Sequence, residues 1–313
     1  MSRLRNTLLI GGIASLALGA LNVALQRGAG AIYNSVDGES KYFLWEQGDV
    51  FYAVKGEGQP VVLVHGINAS ASSYEMRKNF GPLAQHFRVY APDLLGFGLS
   101  DRPPLVYRAE TYIDLLSDFL ANVVREPADL VASSLSGAFA IATAQRHPDR
   151  VRRLILINPT GMSTLASDPG PAQLAFLQFL RSPIFGTAAF NAVASRASIA
   201  GFLKTQTYYD PSLVTDEMVD FYYDSAHQAG AKWAPASFLS GHLNLDVRWP
   251  WTQLKKPVLL VWGRHAKITP LSEADMFLKL NKEARLQVFD KSALVPHDEE
   301  ADAFNELVRS TLS

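Results

Sequence analysis

The chain has 313 residues, enough for one large domain carrying an insertion or for two small domains. Hydrophobic residues make up 48% and 29 Lys plus Arg balance 30 Asp plus Glu, so a sizeable core can form and no basic footprint for nucleic acid exists. Cysteine is absent, which excludes disulfides, thiolate metal sites and a cysteine nucleophile.

Taken in chain order, Arg3 and Arg5 precede an uncharged run from Thr7 to Leu25, whose only polar side chains are Thr7, Ser15 and Asn22. As a helix this run spans ~28 Å, close to the ~30 Å hydrocarbon core of a bilayer. Three readings fit: a membrane anchor, a signal peptide cleaved near Ala17-Leu18-Gly19, or an amphipathic helix packed on the body. Gly11, Ser15 and Gly19 form a small-residue stripe at i, i+4, i+8, the kind that lets membrane helices approach closely. Arg3 and Arg5 outweigh Arg27, which orients the N-terminus to the cytoplasm and the body to the far side. Residues 7–25 therefore predict a membrane-anchored or exported protein, in preference to a cytoplasmic body.

Residues 27–39 read as an irregular linker. Lys41 to Trp45 and Val50 to Val54 bracket a turn-rich connection and predict a hairpin. Val61 to Val64, Arg88 to Tyr90, Ala128 to Ala132, Val151 to Ile157, Val258 to Trp262 and Gln287 to Phe289 are short apolar runs, the pattern of strands buried on both faces. Helical stretches such as Ala109 to Val124 and Leu135 to Arg146 separate them. Alternation of this kind predicts a doubly wound, mostly parallel α/β sheet. From about Thr160 to Pro250 the rhythm breaks: the segment is rich in Ala, Phe, Leu and Tyr, lacks a buried strand, and is divided by Pro171, Pro183, Pro211 and Pro235. It reads as a helical cap inserted between two sheet strands. The expected organisation is an N-terminal helix and linker (1–39), a core (40–159 and 251–313) and a cap (160–250).

Three motifs carry a resemblance over roughly residues 40–313. Val61-Val-Leu-Val-His65-Gly66-Ile67-Asn68 ends a strand in His-Gly. Pro92-Asp93-Leu-Leu-Gly96-Phe-Gly98-Leu-Ser100-Asp101-Arg102-Pro103 follows the next strand. Leu130-Val-Ala132-Ser133-Ser134-Leu135-Ser136-Gly137 joins a strand to an Ala-containing helix. Together and in this order they resemble the capped, lipase-, haloperoxidase- and epoxide-hydrolase-like members of the α/β-hydrolase superfamily. The third motif aligns with the nucleophile elbow G-x-S-x-G, with Ala132 and Ser136 replacing its glycines by other small residues. The resemblance implies that Ser134 is the nucleophile, that the Ile67 and Leu135 N–H groups are oxyanion donors, and that Asp101 holds loops together.

It also implies an acid and then a histidine further along the chain. The acid position falls in Gly263-Arg264-His265-Ala266-Lys267, and Ala266 occupies it; the histidine position falls on Leu294. His297, three residues on, lies where the family often has a second, non-catalytic histidine, and is the candidate substitute base. His265 and His65 are weaker candidates, and Asn158 marks an alternative acid position of the family. Losing a triad histidine costs on the order of 10⁶ in turnover, whereas an oxyanion hole alone retains ~10³ to 10⁴ over water. Two function classes follow. One is a serine hydrolase with a degenerate triad, acting on an ester or acyl bond of a small apolar substrate. The other is a catalytically inactive relative that binds an apolar ligand or partner at a membrane. No dinucleotide fingerprint, P-loop or metal-ligand cluster is present, so no cofactor, metal or nucleic-acid partner is expected.

Overall fold

The computed structural model describes residues 2–313, with side chains from residue 14 onward. Strands β1 (Glu39–Trp45) and β2 (Gly48–Lys55) form an antiparallel hairpin. They are followed by β3 (Pro60–Val64), β4 (Arg88–Pro92), β5 (Ala128–Ser133), β6 (Val151–Ile157), β7 (Val258–Gly263) and β8 (Arg285–Phe289). All eight join one sheet in the order β1-β2-β4-β3-β5-β6-β7-β8, antiparallel at β1–β2–β4 and parallel from β4 to β8. The predicted doubly wound, mostly parallel sheet is therefore what the chain forms.

The apolar runs are continuous because both faces are covered. Along β3, Val62 and Val64 point into one hydrophobic cluster while Val61 and Leu63 point into the other. The first cluster is built with α3 (Ala109–Phe119) and α4 (Leu135–Arg146) and contains Tyr112, Phe139 and Trp262. The second is built with α2 (Arg77–Ala84) and the C-terminal helix Ala301–Leu312, through Phe80, Phe304 and Val308. Parallel strands need such crossovers, and crossovers gather the loops after β3, β5, β6, β7 and β8 along one edge of the sheet.

Between β6 and β7 the described chain is helical: α5 (Pro171–Arg181), α6 (Phe185–Val193), α7 (Arg196–Phe202), α8 (Asp216–Ala226), α9 (Trp233–Leu239) and α10 (Arg248–Gln253). The last of these returns to the sheet. Trp251 is fully buried in the first cluster, and its indole N–H donates to the Phe277 carbonyl at 2.9 Å. Many aromatics of the excursion pack among themselves: Tyr208, Tyr222 and Tyr223 join Ile199, Leu203, Val214 and Met218 in a separate cluster. Phe176, Phe179, Phe202 and Tyr209 stay exposed.

The N-terminal run forms α1 (Ser2–Arg27), but the expectation of a membrane-anchored or exported protein is not upheld. Among the described residues no helix is long and apolar enough to cross a membrane. The stretch of residues 7–25 up to residue 13, with Gly11 of the small-residue stripe, lies outside the residues whose side chains are described. Beyond it, α1 packs on α6. Asn22 is 7% exposed, donates to the Ile184 carbonyl at 3.0 Å, and accepts from the Asn191 amide at 3.1 Å. Beyond the helix, the Gly30 N–H donates to Asp224 at 2.9 Å and Gln228 donates to the Gly30 carbonyl at 2.8 Å. A polar side chain in mid-run that would be orphaned in hydrocarbon is here satisfied by protein.

Candidate active site

The ladder between β5 and β6 runs one residue past the strand, with the Ser134 N–H donating to the Ile157 carbonyl at 2.8 Å. The chain then reverses at once into α4. Ser134 makes this turn at φ 52°, ψ −123°, backbone space that a non-glycine residue enters at a cost of ~1–3 kcal/mol. Between residues 128 and 144, Ser134 alone is partly exposed; every other residue is buried. Neighbouring small residues make the turn feasible. A Cβ on Gly137 would already lie 3.1 Å from Pro159, and the buried Ser136 hydroxyl donates to the His65 carbonyl at 2.6 Å. Ser136 is thus more than a small residue in a glycine position: it ties the elbow to the end of β3.

The strand end it grips is rigid. His65 is fully buried, its Nε2 accepts the Leu94 N–H at 3.0 Å, and its Nδ1 lies 2.7 Å from the Gly66 carbonyl. An Nε2 that accepts leaves the proton on Nδ1, so His65 is a neutral, structural imidazole. Next in the chain come Gly66 and Ile67. Among the described residues neither the Ile67 nor the Leu135 N–H meets a protein acceptor. The Leu135 N–H belongs to the first turn of α4, where backbone donors have no intrahelical partner and face accumulating negative charge. The loop after β4 is held by carboxylates. Asp93 accepts from the Ser73 and Leu99 N–H groups, and Asp101 accepts from Asp49 N–H at 2.9 Å.

The two loops expected to carry an acid and a histidine lie against each other. At Gly263 any Cβ would collide with the Ala293 carbonyl, so only glycine permits this approach. Asn158, at φ 42° just after β6, clamps them. Its Oδ1 accepts the Gly263 N–H at 3.2 Å, and its Nδ2 donates to the carbonyls of Ala293 at 3.3 Å and Leu294 at 2.8 Å. The Leu294 N–H donates to the Thr207 carbonyl at 2.9 Å, and Glu299 accepts the N–H groups of Ala293 and Tyr209, each at 2.7 Å. Ala266 is 6% exposed and packs in the first cluster. Neither position offers a titratable group.

The candidate substitute base is elsewhere. His297, on α12 (Pro296–Glu299), which follows α11 (Ala274–Leu280) and then β8 in the chain, is fully buried; its ring is 5.8 Å from Phe304, on α13 (Ala301–Leu312). Its Nε2 lies 3.3 Å from Oε1 of the buried Glu75. Among the described residues no imidazole hydrogen-bonds to the Ser134 hydroxyl. His265 stacks on Tyr209 at 4.1 Å, His227 bonds the Tyr223 carbonyl, and His242 pairs with Ser240. The arrangement therefore places Gly66, next to Ile67, against Ser134, while neither ring nitrogen of His297 hydrogen-bonds to the Ser134 hydroxyl.

Sequence reasoning missed Glu75. Burial pushes its pKa up, but His297 and the Ser133 hydroxyl outweigh that and hold it below the usual carboxylate range. It also missed the neighbouring polar cluster: Asp298 pairs with Arg77 at 2.9 Å and Lys78 at 2.7 Å and accepts the Tyr208 hydroxyl, joining α2, the helical excursion and α12. No sequence signal marked either, since Glu75 is followed by Arg77 and Lys78 and Asp298 by Glu299 and Glu300. Among the described residues no group of three or more His, Asp or Glu side chains has the clustering of a metal site.

Comparison with known proteins gives the family of the fold. A family model described as alpha/beta hydrolase fold matches residues 59–301. The chain is 28% identical over 272 residues to 2-hydroxy-6-oxo-2,4-heptadienoate hydrolase of Pseudomonas putida, covering 82% of this chain and 90% of that one. It is 29% identical over 268 residues to 2-hydroxymuconate semialdehyde hydrolase of a Pseudomonas species, covering 82% and 88%. Among solved structures, a meta-cleavage product hydrolase (CumD) of Pseudomonas fluorescens superposes with a TM-score of 0.70 at 28% identity, over 86% of this chain and 95% of that one.

Proposed function

The chain belongs to the α/β-hydrolase-fold family, and we propose that within it Ser134 is a nucleophile acting slowly on a carbonyl bond of a small apolar substrate. The Ser134 Oγ adds to the carbonyl carbon, its proton passing to solvent or to the substrate's own basic group. The resulting oxyanion accepts hydrogen bonds from the Ile67 and Leu135 N–H groups. Collapse expels the leaving group, which takes up a proton, and water then releases the acyl group from Ser134. Relatives named as hydrolases of oxo-dienoates support a substrate bearing a carbonyl, whether an ester or a ketone.

One observation carries this reading. Ser134 is held in a strained conformation, alone partly exposed in a buried run, beside two backbone donors without protein acceptors. Strain of this kind persists where the surrounding structure imposes it, and it clusters at reactive sites. Turnover is slow because Ala266 and Leu294 supply no base, and general-base assistance is worth ~10² to 10⁴ in rate. The test is labelling by a serine-directed fluorophosphonate, read by intact mass: slow, stoichiometric labelling of the unmodified chain, absent in Ser134→Ala. Labelling that survives Ser134→Ala, or none after prolonged exposure, overturns the nucleophile assignment. The second outcome leaves binding without turnover, the reading favoured by the lack of an imidazole on Ser134.

A further inference from the structure

Ile67 N–H must sit at a fixed place to act as an oxyanion donor, and β3 ends three residues earlier at Val64. What fixes the loop is a side chain. The Gly66 N–H donates to Oε2 of Glu75 at 3.0 Å, and Glu75 is 7% exposed. A Cβ built on Gly66 would lie 3.3 Å from that same oxygen, 3.3 Å from the Ser133 hydroxyl and 3.5 Å from Ser134 Cβ. Carboxylate, Gly66 and nucleophile are therefore layered in contact, with no room for another group between them. On the far side of the carboxylate His297 Nε2 is 3.3 Å from Oε1, in a ring that is fully buried and whose own carbonyl accepts from Asn79 at 2.8 Å. A buried carboxylate is retained only where donors surround it, and a bond from a backbone N–H to an ionised oxygen is about twice as strong as a neutral one.

Building on the reading of Ser134 as nucleophile, we propose that Glu75 is a positioning residue for the oxyanion loop. Its carboxylate holds Gly66, and so the Ile67 N–H, against Ser134, and His297, whose Nε2 lies 3.3 Å from Oε1 without completing an aligned hydrogen bond, backs the carboxylate in that place. This gives His297 a role that does not require it to touch the Ser134 hydroxyl. It also explains why an ionisable pair sits in the apolar second face of the sheet, beside Phe304.

The test uses the full-length chain. In the unmodified protein the Gly66 amide proton should resonate downfield of its neighbours and exchange slowly with solvent. Glu75→Gln should move the Gly66 and Ile67 amide resonances, speed their exchange, and slow fluorophosphonate labelling about tenfold, part of the ~10² to 10³ that a lost oxyanion donor costs. His297→Ala should slow labelling similarly. His297→Gln, which can donate to the carboxylate but accept no proton, should restore labelling to within about threefold, against the ~10² to 10⁴ that a lost general base would cost. Glu75→Gln leaving both amides and the labelling rate in place overturns the proposal, as does His297→Gln proving as slow as His297→Ala. Should Glu75→Gln fail to fold, Gly66 exchange in the unmodified protein decides: protection supports the proposal and fast exchange refutes it. A wild-type chain that never labels refutes the nucleophile, while the amide resonances still judge the role of Glu75.

Discussion

If Ala266 and Leu294 stand where the acid and histidine partners of Ser134 belong, as we propose, then replacing Ala266 with Asp and Leu294 with His refills both positions. The receiving loops are already fixed: Asn158 holds the Leu294 carbonyl at 2.8 Å and the Gly263 N–H at 3.2 Å, and Glu299 holds the Ala293 N–H at 2.7 Å. Leu294 is partly exposed, so a histidine there keeps access to water. Ala266 is buried among apolar side chains, so Ala266→Asp alone leaves an uncompensated carboxylate and should cost ~3 kcal/mol or more. Leu294→His supplies its partner, and the coupling between the two changes should return ~1–3 kcal/mol of that loss. Chemically, a base within reach of Ser134 should add ~10² to 10⁴ to the rate of fluorophosphonate labelling. The assay is the second-order labelling rate by intact mass, with urea unfolding of both single mutants and the double mutant. A folded double mutant that labels no faster than the unmodified protein would refute the assignment of Ala266 and Leu294 as the vacant acid and histidine positions. Equal rates for Leu294→His and the double mutant would remove position 266 from it.

Four further outcomes are expected. Asp298→Asn breaks a buried ion pair, since the Arg77 side chain is only 17% exposed, and should cost ~3–5 kcal/mol in urea unfolding. Burial alone would raise the Asp298 pKa, but Arg77, Lys78 and Tyr208 hold it below the usual range. Its contribution is therefore complete above the unfolded-state value of about 4 and is lost as pH falls through the lower folded value. Asp298→Asn should flatten that acid limb, and an unchanged limb would contradict the sign. Ser136→Ala leaves the His65 carbonyl without its donor and should cost ~1–3 kcal/mol with no change in the urea m-value. Asn158→Ala frees the Gly263 N–H and the Ala293 and Leu294 carbonyls; amide exchange should quicken across residues 291–295, and exchange confined to other regions would refute the clamp. Asn22→Leu should release residues 14–27 from α6, seen as faster exchange and earlier proteolysis there, and unchanged protection would show that apolar packing alone holds the helix.

The elbow was legible because its signal is local. The turn needs small residues two positions before and two positions after Ser134, and Ala132 and Ser136 meet that need. Ala266 and Leu294 were singled out only through the family resemblance, which aligns them with an acid and a histidine position. The strands were readable because burial on both faces removes alternation and leaves continuous runs such as Val61 to Val64. Glu75 was not readable, since nothing in Ser73-Tyr-Glu75-Met shows that Gly66 and His297 converge on it. His297 was read by its distance along the chain from Leu294, whereas the short helix on which it sits turns its ring toward Phe304.

The N-terminal run shows most clearly where sequence stops. An uncharged segment from Thr7 to Leu25 states only that the helix is apolar, which does not say whether lipid or protein lies against it, because the hydrophobic effect is not directional. Asn22 separates the two environments, and its hydrogen bonds to Ile184 and Asn191 exist only once the helical excursion has folded. The sequence by itself determined the parallel sheet and the sharp turn at Ser134, whose signals lie in neighbours within a few residues. Only the tertiary structure decided that Glu75 holds the Gly66 N–H, that Asn158 clamps the loops at Gly263 and Leu294, and that Asn22 of α1 bonds to Ile184 and Asn191. Each of these depends on polar groups far apart in the chain meeting at about 3 Å, a distance that local periodicity does not encode.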